Sequence, residues 1–223
     1  QYNPNRFHVL SVGRFVALKG FDVAINSFAR FYHLLDNKQQ KTVKLTLVGR
    51  GSEKERLEQL IHEGVISECT EIVNWVSREK LTDLYSQADI FLFPSHEGAG
   101  MVVAEALSFG LPVLCFDNVG PGEQIDSSCG LKVPYSNYEN CKIAFCAYLF
   151  HLYKNPDFHQ VLSEGAIEKF NKVHSWSTKA PVLKNIYDEV CGLSLSHGDR
   201  TTTKETNKLK TNYYENSMFS PIE

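Results

Sequence analysis

Ile90-Phe91-Leu92-Phe93 is followed by Pro94-Ser95-His96-Glu97-Gly98-Ala99-Gly100, then by Met101-Val102-Val103-Ala104-Glu105-Ala106-Leu107-Ser108-Phe109-Gly110, then by Leu111-Pro112-Val113-Leu114-Cys115-Phe116. The opening quartet has no polar side chain, as expected of a strand buried on both faces of a parallel sheet. Pro94 ends it, because proline cannot donate to the ladder. A helix reads from Met101 to Phe109 and stops at Gly110, a good C-terminal signal. Pro112 to Phe116 reads as the next strand. Strand, loop, helix and strand in that order are the repeating unit of an α/β sheet.

The alternation continues in both directions. Upstream, strands read over Phe7 to Gly13, Val43 to Val48 and Thr70 to Trp75. Between them lie a helix with Phe21, Ala24, Ile25, Phe28, Phe31 and Tyr32 on one face, and another with Leu57, Leu60 and Ile61 that Ser52 can cap. A further helix, Arg78 to Ala88, points Leu81, Leu84 and Tyr85 inward. Downstream, Gly130 to Val133 is a short sixth strand, and helices read over Tyr138 to Tyr153, Phe158 to Phe170 and Trp176 to Val190. The expectation is a doubly wound, Rossmann-like parallel sheet of about six strands flanked by helices. It occupies residues 1–192, and a polar tail rich in Ser, Thr, Lys and Asn, residues 193–223, reads as disordered.

Composition narrows the function. The chain of 223 residues is 43% apolar and 12% aromatic, as in a packed globular protein. A net charge of −3 lacks the basic excess of a nucleic-acid partner. No apolar run is long enough to span a membrane, and Gln1-Tyr2-Asn3-Pro4 has no signal-peptide pattern. The six cysteines contain no CxxC pair, which fits neither a zinc site nor a disulfide framework. The expected setting is reducing and cytoplasmic, and the initial Gln suggests a piece of a longer gene product.

Ligands of doubly wound sheets bind at the carboxyl ends of the strands, so candidate chemistry is sought in the loops there. After the first strand, Gly13, Arg14 and Lys19 offer a guanidinium fork and a point-charge ammonium over one edge. Such a pair suits adjoining phosphates or is simply two solvated cations. Gly49-Arg50-Gly51-Ser52 allows close backbone approach at a helix start, or is an ordinary turn. No GxGxxG fingerprint is present, which argues against a nicotinamide or flavin cofactor. Asn74-Trp75-Val76 could read the edge of a base, with Trp75 as an apolar wall, or Trp75 could belong to the core. In the fourth loop Gly98, Ala99 and Gly100 lead into a helix at Met101 and Val102, so backbone N–H groups face a ligand. Glu97 precedes that helix and Glu105 lies in its second turn. Both are acceptors suited to hydroxyl pairs. Their other readings are a dipole-placed acid for Glu97 and, for Glu105 in a helix expected to be largely buried, a structural salt bridge.

At this point the sequence resembles the carboxyl-terminal domain of family 4 glycosyltransferases of the GT-B fold. The hallmark is Glu, seven residues, then Glu, between a Pro-Ser and a Gly-x-Pro-Val, here Glu97 and Glu105 between Pro94-Ser95 and Gly110-Leu111-Pro112-Val113. The VGR….KG, LVG.G, L..LY..AD and GL.V segments extend the likeness over residues 7 to about 190. The resemblance implies a retaining hexosyl transfer from a nucleotide diphosphate sugar to a glycan or lipid-linked acceptor. It assigns Glu97 to hydroxyls of the transferred sugar, Glu105 to the ribose, and Arg14 and Lys19 to the departing diphosphate. Backbone amides at Gly98 to Met101 would hold the sugar and distal phosphate, and Val76 the base. Ala99 stands where these enzymes often carry an aromatic residue. No metal or other cofactor is expected, because the phosphate-facing loops offer cations and not an acidic cluster. The acceptor site would lie on an amino-terminal GT-B domain as partner, against which the helix around Trp176 to Val190 would pack. The whole enzyme could associate peripherally with the inner face of the membrane.

Overall fold

The computed structural model of the chain describes residues 6–191; the expected polar tail lies outside them. Six strands form one parallel sheet in the order β3-β2-β1-β4-β5-β6. They are β1 (Phe7–Val12), β2 (Val43–Val48), β3 (Thr70–Val73), β4 (Ile90–Phe93), β5 (Val113–Phe116) and β6 (Gly130–Val133). The helices are α1 (Phe21–His33), the single turn α2 (Asn37–Gln40), α3 (Lys54–Glu63), α4 (Arg78–Gln87), α5 (Met101–Ser108), a second short turn α6 (Pro121–Gln124), α7 (Tyr138–Lys154), α8 (Pro156–Lys169) and α9 (Trp176–Val190). The chain divides into two units, Gln1–Lys179 and Ala180–Glu223; of the second, residues 180–191 are described.

Strand alternation sorts the core into two layers. Phe7 and Val9, Leu45 and Leu47, Ile90 and Leu92, and Leu114 and Phe116 share one face with Phe28 and Phe31 of α1 and Phe145 and Leu149 of α7. Leu10, Val12, Phe91, Phe93, Val113 and Cys115 face the other way, onto Tyr85 of α4 and Val103, Ala106 and Leu107 of α5. Each buried Val, Leu, Ile or Phe among them contributes roughly 1.5–3 kcal/mol by burial. The layers therefore hold the domain together and leave the loops at the strand ends free for chemistry.

Two local expectations change. Strand β3 ends at Val73, opposite the last residue of β2, Val48, so Trp75 lies beyond the ladder. Ser52 does not cap α3: residues 51–53 make a turn, Glu53 takes the cap position with helical backbone, and no side chain caps the helix. In α4 the expected face does point inward: Tyr85 is buried, and the half-buried Leu81 and Leu84 pack against the same core layer.

At the amino ends of the strands His8 is buried within a polar cluster. Its Nε2 meets Thr46 Oγ1 at 2.8 Å and its Nδ1 meets the Gln87 carbonyl at 3.2 Å. Its main-chain N–H donates to Asp89 Oδ2 at 2.7 Å. Burial, with smaller help from the Lys44 and Arg6 charges, lowers His8 to about 4. The folded value lies below the unfolded one near 6.5, so the stabilisation is present above pH 6.5 and lost as pH falls toward 4. The stability advantage of wild type over His8→Asn is therefore expected to shrink, on the order of a few kcal/mol, between pH 6.5 and 4. Urea midpoints across that range check it; a gap independent of pH contradicts it.

Candidate functional site

The strand order reverses between β1 and β4, and in such sheets the ligand crevice lies outside the carboxyl ends of the strands at that point. Four loops meet there. The first leaves β1 as Gly13-Arg14 and makes a tight turn, Ala17–Lys19, closed by Gly20 in left-handed backbone (φ 65°). A Cβ on Gly20 would lie 1.9 Å from the Pro94 carbonyl oxygen. Only glycine allows this approach, and it seats Lys19 against the end of β4. There the Lys19 ammonium pairs with the Glu97 carboxylate and lies 5.5 Å from the centre of the Phe93 ring. Burial, and then the neighbouring Arg14 guanidinium, push Lys19 below the ordinary lysine range.

Glu97 is fixed from the other side as well. Gly120, at φ 88°, brings the loop after β5 so close that a Cβ there would fall 2.1 Å from the Glu97 carbonyl oxygen. Asn118 in the same loop donates to the Ser95 carbonyl at 2.9 Å. Gly100 is left-handed (φ 62°) and caps α5, and Gln124 donates to the Ala99 and Gly100 carbonyls. Gly98 and Ala99 are exposed, Met101 is exposed and Val102 is half-buried. The start of α5, with its outward N–H groups, is thus open to solvent beside Glu97.

Continuous with Gly13 is a cleft of about 490 Å³, lined by Gly13, Arg14, Gly49, Arg50, Trp75, Val76, Arg78, Leu81 and Glu105 along with Val12 and Val48. Lys19 borders it, since its Cδ is 3.7 Å from the position a Cβ on Gly13 would take. Trp75 is 76% exposed, which removes the core alternative, and the Arg50 guanidinium lies 5.3 Å from its ring centre. Glu105 is also exposed, contrary to the expected burial, because the cleft side of α5 is uncovered; its carboxylate meets the Tyr85 hydroxyl at 3.3 Å in place of a cation. Gly51 lies outside the lining, where it lets the turn press on the Phe15 backbone.

A larger cleft, about 810 Å³, opens at the amino ends of β2 and β3, where Tyr32, Cys69 and the Lys44–Glu71 ion pair line it. The smaller cleft is the better candidate, because it sits at the switch point and gathers cations, a carboxylate and an exposed indole. Sequence reading missed Arg50, Arg78 and Leu81 in its wall. Arg50 had a signal, as the residue between two glycines at the end of β2. Among the described residues no group of three or more His, Cys, Asp or Glu side chains is placed to hold a metal ion, and no helix is long and apolar enough to cross a membrane.

Fold and site define an α/β domain with a candidate ligand cleft at the switch point of a doubly wound sheet. Residues 1–166 match the model of the family glycosyl transferases group 1, and the chain belongs to that family. It is 31% identical over 195 residues to D-inositol 3-phosphate glycosyltransferase of Corynebacterium jeikeium, covering 84% of this chain and 45% of that protein. It is 30% identical over 125 residues to amylovoran biosynthesis glycosyltransferase AmsK of Erwinia amylovora, covering 53% of this chain and 30% of that protein. Its fold is similar to that of the pneumococcal O-GlcNAc transferase GtfA, solved with UDP and GlcNAc, with a TM-score of 0.72 and 19% identity over 82% of this chain and 36% of that one. The chain spans less than half the length of the curated relatives it matches. The fold is the Rossmann-like unit of GT-B glycosyltransferases.

Proposed function

We propose that the chain is the carboxyl-terminal, donor-binding half of a retaining family 4 glycosyltransferase, which moves a hexosyl group from a nucleotide diphosphate sugar to a glycan or lipid-linked acceptor. The observation that carries this reading is the row of charges at one sheet edge: Lys19 paired with Glu97, and Arg14, near Lys19, in the cleft that Glu105 also lines. The diphosphate lies over Arg14 and Lys19, the ribose meets Glu105, and the base enters between Trp75 and the Val76 backbone. The sugar lies toward Glu97 and the amides at the start of α5.

In the reaction the bond from the sugar's anomeric carbon to the phosphate oxygen breaks and negative charge grows on the leaving diphosphate. Fixed cations and amide dipoles aimed at that charge lower the barrier without reorganising. Lys19 and Glu97, now paired with one another, exchange partners when donor binds: phosphate takes the ammonium and sugar hydroxyls take the carboxylate. The phosphates are neutralised by protein cations without a metal ion. The acceptor comes from an amino-terminal domain of the whole enzyme, and the free cysteines suit a cytoplasmic, reducing setting.

The chain alone is expected to bind a nucleoside diphosphate weakly, with phosphate contacts supplying most of the affinity. Calorimetry at low salt with EDTA present, using UDP, GDP and ADP, is the test. No heat from any of the three at millimolar ligand overturns the reading.

A further inference from the structure

We propose that Tyr85 is a positioning residue, whose hydroxyl sets the Glu105 carboxylate for the ribose of the donor. This rests on the reading of Glu105 as the ribose acceptor. Tyr85 belongs to the Leu81-x-x-Leu84-Tyr85 stretch of α4, which the donor contacts above do not explain.

The ring is 2% exposed and locked by aromatic neighbours. It stacks on Phe109 with centroids 5.3 Å apart and planes 7° from parallel, and it tilts against Phe91 at 5.9 Å. Phenylalanine would fill that space equally well, so packing does not account for the hydroxyl. A buried phenol requires a partner, and here the partner is Glu105 Oε2 at 3.3 Å. The cleft leaves Glu105 otherwise exposed, and a Glu side chain on a helix surface ranges over many rotamers. A donor on a rigid ring restricts it. Burial, and then the Glu105 charge, push the Tyr85 phenol above its ordinary range, so it remains a donor. A carboxylate accepts only. With Oε2 held by Tyr85, Oε1 and the remaining lone pairs face the cleft, where the paired 2′ and 3′ hydroxyls of a ribose would donate.

The test measures the preference for ribose. Binding of UDP and of 2′,3′-dideoxy-UDP to the chain is compared by calorimetry for wild type, Tyr85→Phe and Glu105→Gln, with GDP or ADP pairs substituted if these bind more tightly. Wild type is expected to prefer the ribonucleotide by roughly tenfold. Tyr85→Phe should cut that preference about threefold or more while leaving affinity for the dideoxy compound and the melting temperature unchanged. If Tyr85→Phe keeps the wild-type preference while Glu105→Gln loses it, Glu105 reads the ribose unaided and the positioning role is wrong. The role is equally wrong if Tyr85→Phe lowers the melting temperature and both affinities alike, because that is a packing effect. If Glu105→Gln also keeps the preference, the ribose reading of Glu105 fails and the role of Tyr85 falls with it.

Discussion

The purified chain is expected to convert no donor into glycosylated product, whatever acceptor is offered. Its described residues hold one doubly wound sheet, and the groups proposed for donor binding all lie along one edge of it. That edge is open: Arg14, Arg50, Trp75, Gly98, Ala99, Met101 and Glu105 are exposed. In an open site water competes for every phosphate and hydroxyl contact, and the charge stabilisation that lowers the barrier is screened. Closing a second domain over the donor would expel that water and bring the acceptor hydroxyl to the anomeric carbon. Alignment of two reactants is worth several kcal/mol by itself, so its loss removes all measurable turnover. Mass spectrometry of reactions with a panel of nucleotide sugars and acceptors tests this. A glycosylated product from the purified chain contradicts it, whereas slow donor hydrolysis without transfer does not.

The fold was legible because the strands are short, mostly apolar and bounded by glycine, proline or a polar loop. Ile90–Phe93 and Val113–Phe116 carry that signal most strongly, since burial on both faces leaves no position for a polar residue. The end of β3 was overread, because Asn74 and Trp75 continue a strand-like pattern and only the partner strand decides where pairing stops. The site was half legible. Glycines and charged residues at strand ends flag the loops, and the spacing of Glu97 and Glu105 flags the helix between them. Exposure was not legible. Glu105 sits among Val103, Ala104, Ala106 and Leu107, which reads as a buried helix, yet α5 buries only one side and leaves the glutamate facing the cleft. Arg50, despite its place between two glycines, and Tyr85 meet Trp75 and Glu105, residues distant in sequence, and the pairing itself leaves no local pattern.

In the whole enzyme, Glu97→Gln is expected to lower kcat and leave the apparent affinity for donor near wild type, whereas Glu105→Gln should raise KM for the donor and leave kcat nearly intact. The difference follows from position. Glu105 lines the cleft with Trp75, Val76 and Arg50, one helical turn beyond the start of α5 and away from the proposed sugar position, so a contact it makes with the ribose is similar before and during bond cleavage. An interaction of equal strength in ground and transition states appears in KM. Glu97 lies in the loop between β4 and α5, paired with Lys19, where the sugar and the distal phosphate would meet. Its contacts strengthen as the sugar distorts and the bond to phosphate lengthens, and such a gain appears in kcat. Replacing a carboxylate by its amide keeps the shape and loses a charge-assisted hydrogen bond, a cost of about 1.5–3 kcal/mol, or roughly tenfold to a hundredfold in the affected constant. The Lys19–Glu97 pair sharpens the expectation. Without the carboxylate, Lys19 has lost its competing partner and remains available to the diphosphate, so affinity for a nucleoside diphosphate should not fall in Glu97→Gln. Steady-state kinetics of both variants, with thermal melts to show that each is folded, decide the matter. If both variants are folded and match wild type in kcat and KM, the two glutamates are structural and the donor roles proposed for them are wrong. If Glu105→Gln unfolds the domain, its carboxylate supports the core through Tyr85, and the ribose assignment is wrong.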